Sequence, residues 1–186
     1  MSKHVLREAI EVLRRAGVVR VKRGNNGGTQ VLSTDLRPVL AGLAGTTRTT
    51  IRSILEARRP LELTGALLAV RRADDAELEQ LITLADKLEP LFDLPHEFLQ
   101  TDALFHLVLV RAGRNSLIAE FHERVIDEIL IATAFFPYGR IDPHDAIRHQ
   151  RSTAEAIASR NPQRVRAALD DHLGALEVAL LGEQLG

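Results

Sequence analysis

The sequence contains no cysteine and no tryptophan, and aromatic residues make up only 4% of its 186 positions. The lack of cysteine excludes disulfide bonds, thiolate metal sites and a cysteine nucleophile, and it agrees with a reducing, cytoplasmic location. No apolar secretion signal follows Met1. The longest mainly apolar run, ILIATAFF, is too short to cross a bilayer, so no membrane partner is expected.

Alanine and leucine dominate the rest of the chain, and this composition favours helices that pack on helices. Between 34 and 48, Ser, Thr, Gly and Pro residues predict a linker with at most one helical turn. Beyond it, apolar periodicity and turn signals predict six helices. Their expected ranges are 49–71, 75–90, 95–112, 115–136, 143–160 and 162–182.

The overall net charge of −1 conceals an uneven distribution along the chain. Residues 1–32 carry a net charge of +5, whereas residues 33–186 carry −6. A basic end on an acidic body indicates a separate role for that end, and polyanions are its expected partners.

The basic end begins with the pattern of an amphipathic helix, SKHVLREAIEVLRRAG. Two β-branched runs around the turn GNNGG follow and predict a small hairpin. A helix followed by a hairpin is typical of the recognition helix and wing of a winged helix-turn-helix. The simpler alternative is a solvated basic helix with a hairpin packed on the body. The expected DNA contacts are Ser2, Lys3, His4, Arg7, Arg20, Lys22 and Arg23.

This segment closely resembles the recognition helix and wing of GntR-family transcriptional regulators. The family pattern is approximately Ser-Arg-x-x-Val-Arg-Glu-Ala-Leu, followed by Gly-Leu-Val, a basic strand and a Gly-rich turn. The resemblance implies that residues 1–33 are a partial winged-helix domain, because the family has two further helices before this one. A misassigned start, a trimmed chain and a genuine loss are the alternatives for the missing part.

Residues 49–186 resemble the FadR-type ligand-binding domain, or FCD domain, of the same family. The segments EARRPLE, DALFHLVLVRAGRNSLI and AEAIASRNPQRVRAALDDHL carry this resemblance. It implies an all-α fold, an antiparallel bundle of six to seven helices that binds an effector and forms a homodimer.

Asp102 and His106 are four residues apart, so they should share one face of an otherwise apolar helix. By spacing alone, such a pair is commonly a simple hydrogen-bonded pair. The resemblance instead implies a divalent metal, Zn, Ni or Mn. Its implied ligands are Asp102, His106, His149 and His172.

The expected metal site departs from the family pattern at one position. The family's middle histidine falls on Gln150, and His149 lies one residue earlier, about 100° around the helix. A slipped turn that brings His149 inward is one alternative. The others are a weak carbonyl ligand from Gln150 and a site that has lost its metal.

The resemblance implies a small organic acid as effector, and Arg58, next to Asp102 and His106, is its expected anchor, because a guanidinium group can fork onto a carboxylate. The alternative is an ordinary helical ion pair with Glu62. Asn115 is expected to cap a helix. The remaining histidines are expected at the surface or at helix ends, and they are His96, His122 and His144.

The leading hypothesis is a DNA-binding transcriptional regulator that responds to a small organic acid. One alternative is a DNA-incompetent dimerisation partner that titrates full-length relatives. A helical metalloenzyme is less favoured, because the sequence has no HExxH motif and no general base can be nominated. We therefore predict that the protein is not an enzyme.

Overall fold

A computed structural model describes residues 3–22, 24, 27–34, 37–133, 142–182 and 184–185, with the backbone alone for 3–5, 8, 37–49, 96 and 131–133. Within these ranges the chain forms seven α-helices and one two-stranded hairpin. The prediction of an all-α bundle preceded by a helix and a hairpin is confirmed. No helix in the described ranges is long and apolar enough to cross a membrane. The chain divides into two compact units, residues 1–49 and 50–186.

The first unit contains a helix and the hairpin that follows it. Helix α1 spans Lys3–Arg15, and strands β1 (Val19–Lys22) and β2 (Gly28–Val31) pair in antiparallel register. Gly17 has a φ of 72°, so the chain leaves α1 through a conformation that favours glycine. Two buried valines, Val18 and Val19, pack against apolar residues of α1 and its C-terminal end.

The second unit is built from the remaining helices, the first of which, α2, begins before residue 50. Their bounds are α2 Arg37–Arg72, α3 Asp75–Lys87, α4 Pro95–Arg111, α5 Ser116–Thr133, α6 Pro143–Ala158 and α7 Pro162–Leu181. A short 3₁₀ turn, Glu89–Leu91, follows α3. Successive helices are joined by short connections where the structure describes them, and α3, α4, α6 and α7 pack on their neighbours.

Helix α2 begins twelve residues earlier than the sequence predicted, so the prediction of an irregular linker is wrong over 37–48. Pro38 falls in the first turn of the helix, where its missing N–H costs nothing. Gly42 and Gly45 lower helix propensity by about 1 kcal/mol each. Both glycines nevertheless lie inside the helix.

The bundle core is apolar and continuous. Its main cluster joins α2, α3, α4, α6 and α7, and a second one joins α2, α5 and α7. The largest fully buried apolar side chains are Phe105, Ile51, Leu55, Leu81, Leu88, Leu109, Ile126, Ile157 and Leu169. Polar side chains inside this core therefore need specific partners.

Local signals explain several helix starts. Asn161 accepts hydrogen bonds from the backbone N–H groups of Gln163 and Arg164, and Pro162 occupies the first turn of α7. Asp74 and Glu77 form a reciprocal capping box at the start of α3. Asn115 accepts a hydrogen bond from the Ile118 N–H, which confirms its predicted role as a cap.

Helices α2 and α4 approach closely at two glycines. A Cβ atom on Gly113 would lie 2.5 Å from the carbonyl oxygen of Gly65, and one on Gly65 would lie 2.7 Å from a methyl group of Val110. The Gly113 carbonyl accepts a hydrogen bond from Arg72 Nη1 at 2.8 Å. Both glycines thus allow a backbone contact that a larger residue would obstruct.

A buried carboxylate, that of Glu177 on α7, holds this helix against α2. Glu177 accepts hydrogen bonds from Nε and Nη2 of Arg59, whose Nη1 donates to Asp170. The backbone N–H of Leu185 also donates to Glu177, at 2.9 Å. The segment after α7 is thereby fastened to the same carboxylate, and Gln184 lies over Gly174.

Candidate functional site

A fully buried carboxylate, Glu62, lies at the centre of the second unit. It accepts a hydrogen bond from Arg58 Nε at 2.8 Å, one helical turn earlier on α2. His106 Nδ1 lies 2.6 Å from Oε1 of Glu62, and His122 Nε2 lies 3.3 Å from Oε2, the oxygen that also accepts from Arg58. Since a carboxylate can only accept, both rings present N–H groups to it. We call Arg58, Glu62, His106 and His122 the Glu62 cluster.

The charges in the cluster compensate each other. Burial raises the pKa of Glu62, but Arg58 and the hydrogen-bonded histidines outweigh burial and hold the pKa well below 4.5. Glu62 is therefore ionised at neutral pH, and the guanidinium group beside it balances its charge. The hydrogen bonds from Arg58, His106 and His122 to Glu62 offset part of the cost of burying its charge.

The other ring nitrogen of His106 continues the network towards α6. Gln150 Nε2 lies 3.2 Å from His106 Nε2 and 2.5 Å from Asp102 Oδ1. Asp102 Oδ2 is 3.9 Å from His106 Nε2, so these two residues share one helix face as predicted. The Gln150 side chain, which is fully buried, therefore links the Asp/His pair of α4 to α6.

Two further histidines lie next to this network. The His172 ring centroid is 4.9 Å from that of His106 and 5.5 Å from that of His149. His172 is buried, and its Nδ1 has no hydrogen-bond partner in the described part of the chain. His149 is half-buried, whereas Gln150 occupies the inner position of this turn of α6.

A cavity of about 420 Å³ opens beside these residues. Arg58, Asp102, His149 and His172 contribute polar groups to its wall. Its other lining residues are Phe98, Leu99, Asp142, Asp145, Ala146, Ala175, Leu176, Val178 and Ala179. A mainly apolar wall with a few polar groups is typical of a small-molecule site.

Arg58 has spare hydrogen-bonding capacity at this cavity. Its Nε is engaged by Glu62, but its buried Nη2 has no hydrogen-bond partner among the described residues. A buried guanidinium N–H without an acceptor is costly, and a bound anion would remove that cost. Arg58 therefore keeps an unused donor next to the cavity, which a carboxylate that reaches it would satisfy.

The four predicted metal ligands do not form a metal site in this arrangement. Among the described residues, no three His, Asp or Glu side chains are grouped so that they could hold an ion. The amide nitrogen of Gln150 lies against both Asp102 and His106, where an ion would need their lone pairs. The residues as arranged do not fit a metal, although metal binding itself stays a prediction.

Two buried histidines make stability depend on pH. Burial lowers the pKa of His122 despite the opposing effect of Glu62, and burial lowers the pKa of His172 well below 6.5. Both rings therefore bind protons less readily in the folded protein than in the unfolded chain, where histidine titrates near pH 6.5. Stability should fall as the pH drops from about 7.5 to 5.5, and these two groups contribute a slope of at most about 2.7 kcal/mol per pH unit.

Urea unfolding at several pH values within this window measures that slope. The variants His122→Gln and His172→Gln should each reduce this slope, by up to about 1.4 kcal/mol per pH unit, the contribution of one proton. The variant His144→Gln, at an exposed helix end, should leave the slope unchanged. A free energy of unfolding that stays constant across the window in the unsubstituted protein would contradict the expectation.

The predicted DNA-contact residues lie in the first unit. Arg7, Arg20 and Lys22 are exposed, and none of them forms an ion pair with another described residue. Arg14 and Arg15 differ, because both bond to Glu11 and lower its pKa to about 2. Ser2 and Arg23 lie outside the described residues, as do the side chains of Lys3 and His4.

One predicted location is wrong, and one role was missed. His122 is fully buried rather than at the surface, because Glu62 provides it with an internal acceptor. Glu62 was expected only as the helical partner of Arg58, which it is, and not as an acceptor for histidines from two other helices. The available signal was spacing, since Arg58 and Glu62 continue the buried row of Ile51 and Leu55.

His144 is exposed at the start of α6 as predicted, and the side chain of His96 is not described.

The chain is similar to known proteins in sequence and in fold. Residues 53–175 match the FCD domain family. The chain is 25% identical over 179 residues to the HTH-type transcriptional repressor NanR of Cronobacter sakazakii, covering 92% of this chain and 68% of that protein.

Solved structures with a similar fold include two further proteins. Streptococcus agalactiae GntR superposes with a TM-score of 0.62 at 22% identity, covering 95% of this chain and 81% of that one. E. coli McbR/YncC superposes with a TM-score of 0.63 at 17% identity, covering 98% and 87%. These likenesses extend through both compact units.

Proposed function

Because the chain belongs to the GntR family of transcriptional regulators and carries an FCD domain, we propose that it controls transcription in response to a small organic acid. The relatives are regulators rather than enzymes, which argues against the metalloenzyme alternative. The finer assignment to the FadR subfamily is part of the proposal and is supported by the Asp102/His106 segment.

The observation that carries the proposal is the buried, unpartnered Nη2 of Arg58 at the wall of the 420 Å³ cavity. A carboxylate placed there would accept a charge-assisted hydrogen bond in a mainly apolar surrounding. Asp102 and His172 line the same cavity and offer further polar contacts to hydroxyl or amino groups of the ligand. The His106 ring lies behind the residues that line the cavity, where it forms hydrogen bonds with Glu62 and Gln150.

The basic first unit supports the DNA-binding half of the proposal. Arg7 on α1 and Arg20 and Lys22 on β1 expose positive charge, which suits contacts with DNA phosphates. We place the operator contacts on α1 and the wing. We further propose that the protein acts in the cytoplasm as a homodimer, so that two such units read two half-sites.

An Arg58→Lys variant tests the effector site. Lysine keeps the positive charge beside Glu62 but lacks the guanidinium fork. Affinity for the bound acid should therefore fall at least about tenfold, since one charge-assisted hydrogen bond contributes about 1.5–3 kcal/mol. The measurement is calorimetric titration with mono-, di- and hydroxycarboxylates, and Arg71→Lys, at an exposed position on the same helix, is the control.

A gel-shift titration tests the regulatory half of the proposal. With this chain and its operator, the acid that binds the cavity should change operator affinity, because a ligand shifts only an equilibrium whose states it binds unequally. Operator affinity that is independent of every bound acid would refute effector control. Failure to bind DNA at all would favour the dimerisation partner instead.

A further inference from the structure

We propose that the side-chain amide of Gln150 takes the place of a metal ion at the bundle centre, so that this site works without metal. The amide NH₂ group has two hydrogens, and the structure gives each one an acceptor. One N–H points to Asp102 Oδ1 at 2.5 Å, and the other to His106 Nε2 at 3.2 Å.

The orientation of the amide follows from its neighbours. Exchanging its nitrogen and oxygen would place Oε1 against the Asp102 carboxylate, and two acceptors at 2.5 Å repel each other. The state of His106 agrees with this choice. Its Nδ1–H donates to Glu62, and in the neutral ring Nε2 then carries a lone pair that can accept from Gln150. Every donor along Glu62, His106, Gln150 and Asp102 therefore meets an acceptor.

A metal ion would compete for the same lone pairs. Zn²⁺ binds carboxylate oxygen and imidazole nitrogen at about 2.0–2.2 Å, which would require the space and the acceptors that the Gln150 nitrogen now uses. The charge of Glu62 in the cluster is also balanced without a metal ion. Arg58 compensates Glu62, and Asp102 stays one quarter exposed while it accepts the amide hydrogen bond. Histidine at this position would instead supply a third ligand.

This inference concerns the same cavity as the proposed effector site, but its test reads metal content and needs no effector. It therefore stands or fails separately from the proposed function. Its consequence is that an effector is held by side chains alone, not by open coordination positions of an ion.

The experiment measures bound metal in untagged protein purified without a metal column. Elemental analysis should find less than about 0.1 equivalent of Zn, Ni or Mn, and adding each metal should raise the Tm by less than about 1 °C. The variant Gln150→His should gain about one equivalent and a metal-dependent rise in Tm of several degrees. Gln80→His adds a histidine at an exposed position and should gain neither.

A second variant keeps the test decisive if Gln150→His does not fold. Gln150→Glu has nearly the same shape but faces Asp102 with an acceptor, so it should be less stable at neutral pH and recover on addition of a divalent metal. Either gain of metal response supports the proposal. About one equivalent of metal in the unsubstituted protein, lost in the Asp102→Ala/His106→Ala variant, would overturn it.

Discussion

Replacement of Glu62 by leucine should lower the free energy of unfolding by about 3–5 kcal/mol, because it removes one partner of a buried ion pair. The variant would leave the Arg58 guanidinium buried without its counter-ion and deprive His106 and His122 of their acceptor. The corresponding fall in Tm is roughly 6–20 °C. Urea unfolding and thermal melting at neutral pH measure the effect.

The double variant Arg58→Met/Glu62→Leu separates the loss of an ion pair from the exposure of an uncompensated charge. Because both charges disappear together, it should recover the part of the loss that comes from the uncompensated Arg58 charge, but not the part that comes from the unpaired N–H groups of His106 and His122. The exposed pair Arg111 and Glu123, joined at 2.8 Å, provides the matched comparison. Glu123→Leu should cost no more than about 1 kcal/mol. Equal effects at Glu62 and Glu123 would contradict this account of the cluster.

Substitution of Gly113 by alanine should lower the free energy of unfolding by about 1–3 kcal/mol or more through overpacking. The new methyl group would meet the carbonyl oxygen of Gly65 at 2.5 Å, and backbone on a packed helix cannot move aside cheaply. Separating α2 from α4 at this point would also disturb the hydrogen bond from Arg72 to the Gly113 carbonyl. Urea unfolding measures the loss.

Gly174→Ala is the control for this prediction, since it also places a methyl group in a close contact. Its nearest neighbour is the Gln184 amide nitrogen at 2.9 Å, the end of a flexible side chain that can turn away. Alanine inside α7 gains helix propensity by up to about 1 kcal/mol. We therefore expect an effect near zero or a slight stabilisation. A similar loss at both glycines would show that the α2–α4 contact is not special.

Helix positions could be predicted from sequence wherever local chemistry sets the boundary. Pro143, Pro162 and Asn161 mark starts that the structure reproduces within a residue or two, because a cap or a missing N–H acts over a single turn. The start of α2 was missed for the opposite reason. Glycine and proline lower the local helix propensity, but whether a helix forms depends on the free energy of the whole segment. No single residue near position 37 signals that outcome.

The polar centre was predictable in part. Asp102 and His106 could be placed on one face because helical spacing requires it, and the Arg58–Glu62 pair followed from the same rule. The position of His122 could not be read this way. Its burial depends on Glu62 arriving from a helix sixty residues earlier in the chain, and only the packing of α2 against α5 brings the two together.

Two consecutive arginines on α2 belong to different ion pairs. Arg58 bonds to Glu62 beneath the cavity wall, whereas Arg59 reaches Glu177 on α7. Because a helix turns as a unit, any rotation of α2 about its axis alters both contacts together. A ligand that recruits Arg58 and turns α2 would thus also change the free energy with which α7 is held, and by thermodynamic reciprocity a looser α7 would change the affinity for that ligand. Through these adjacent arginines, one helix contacts both the cavity and α7.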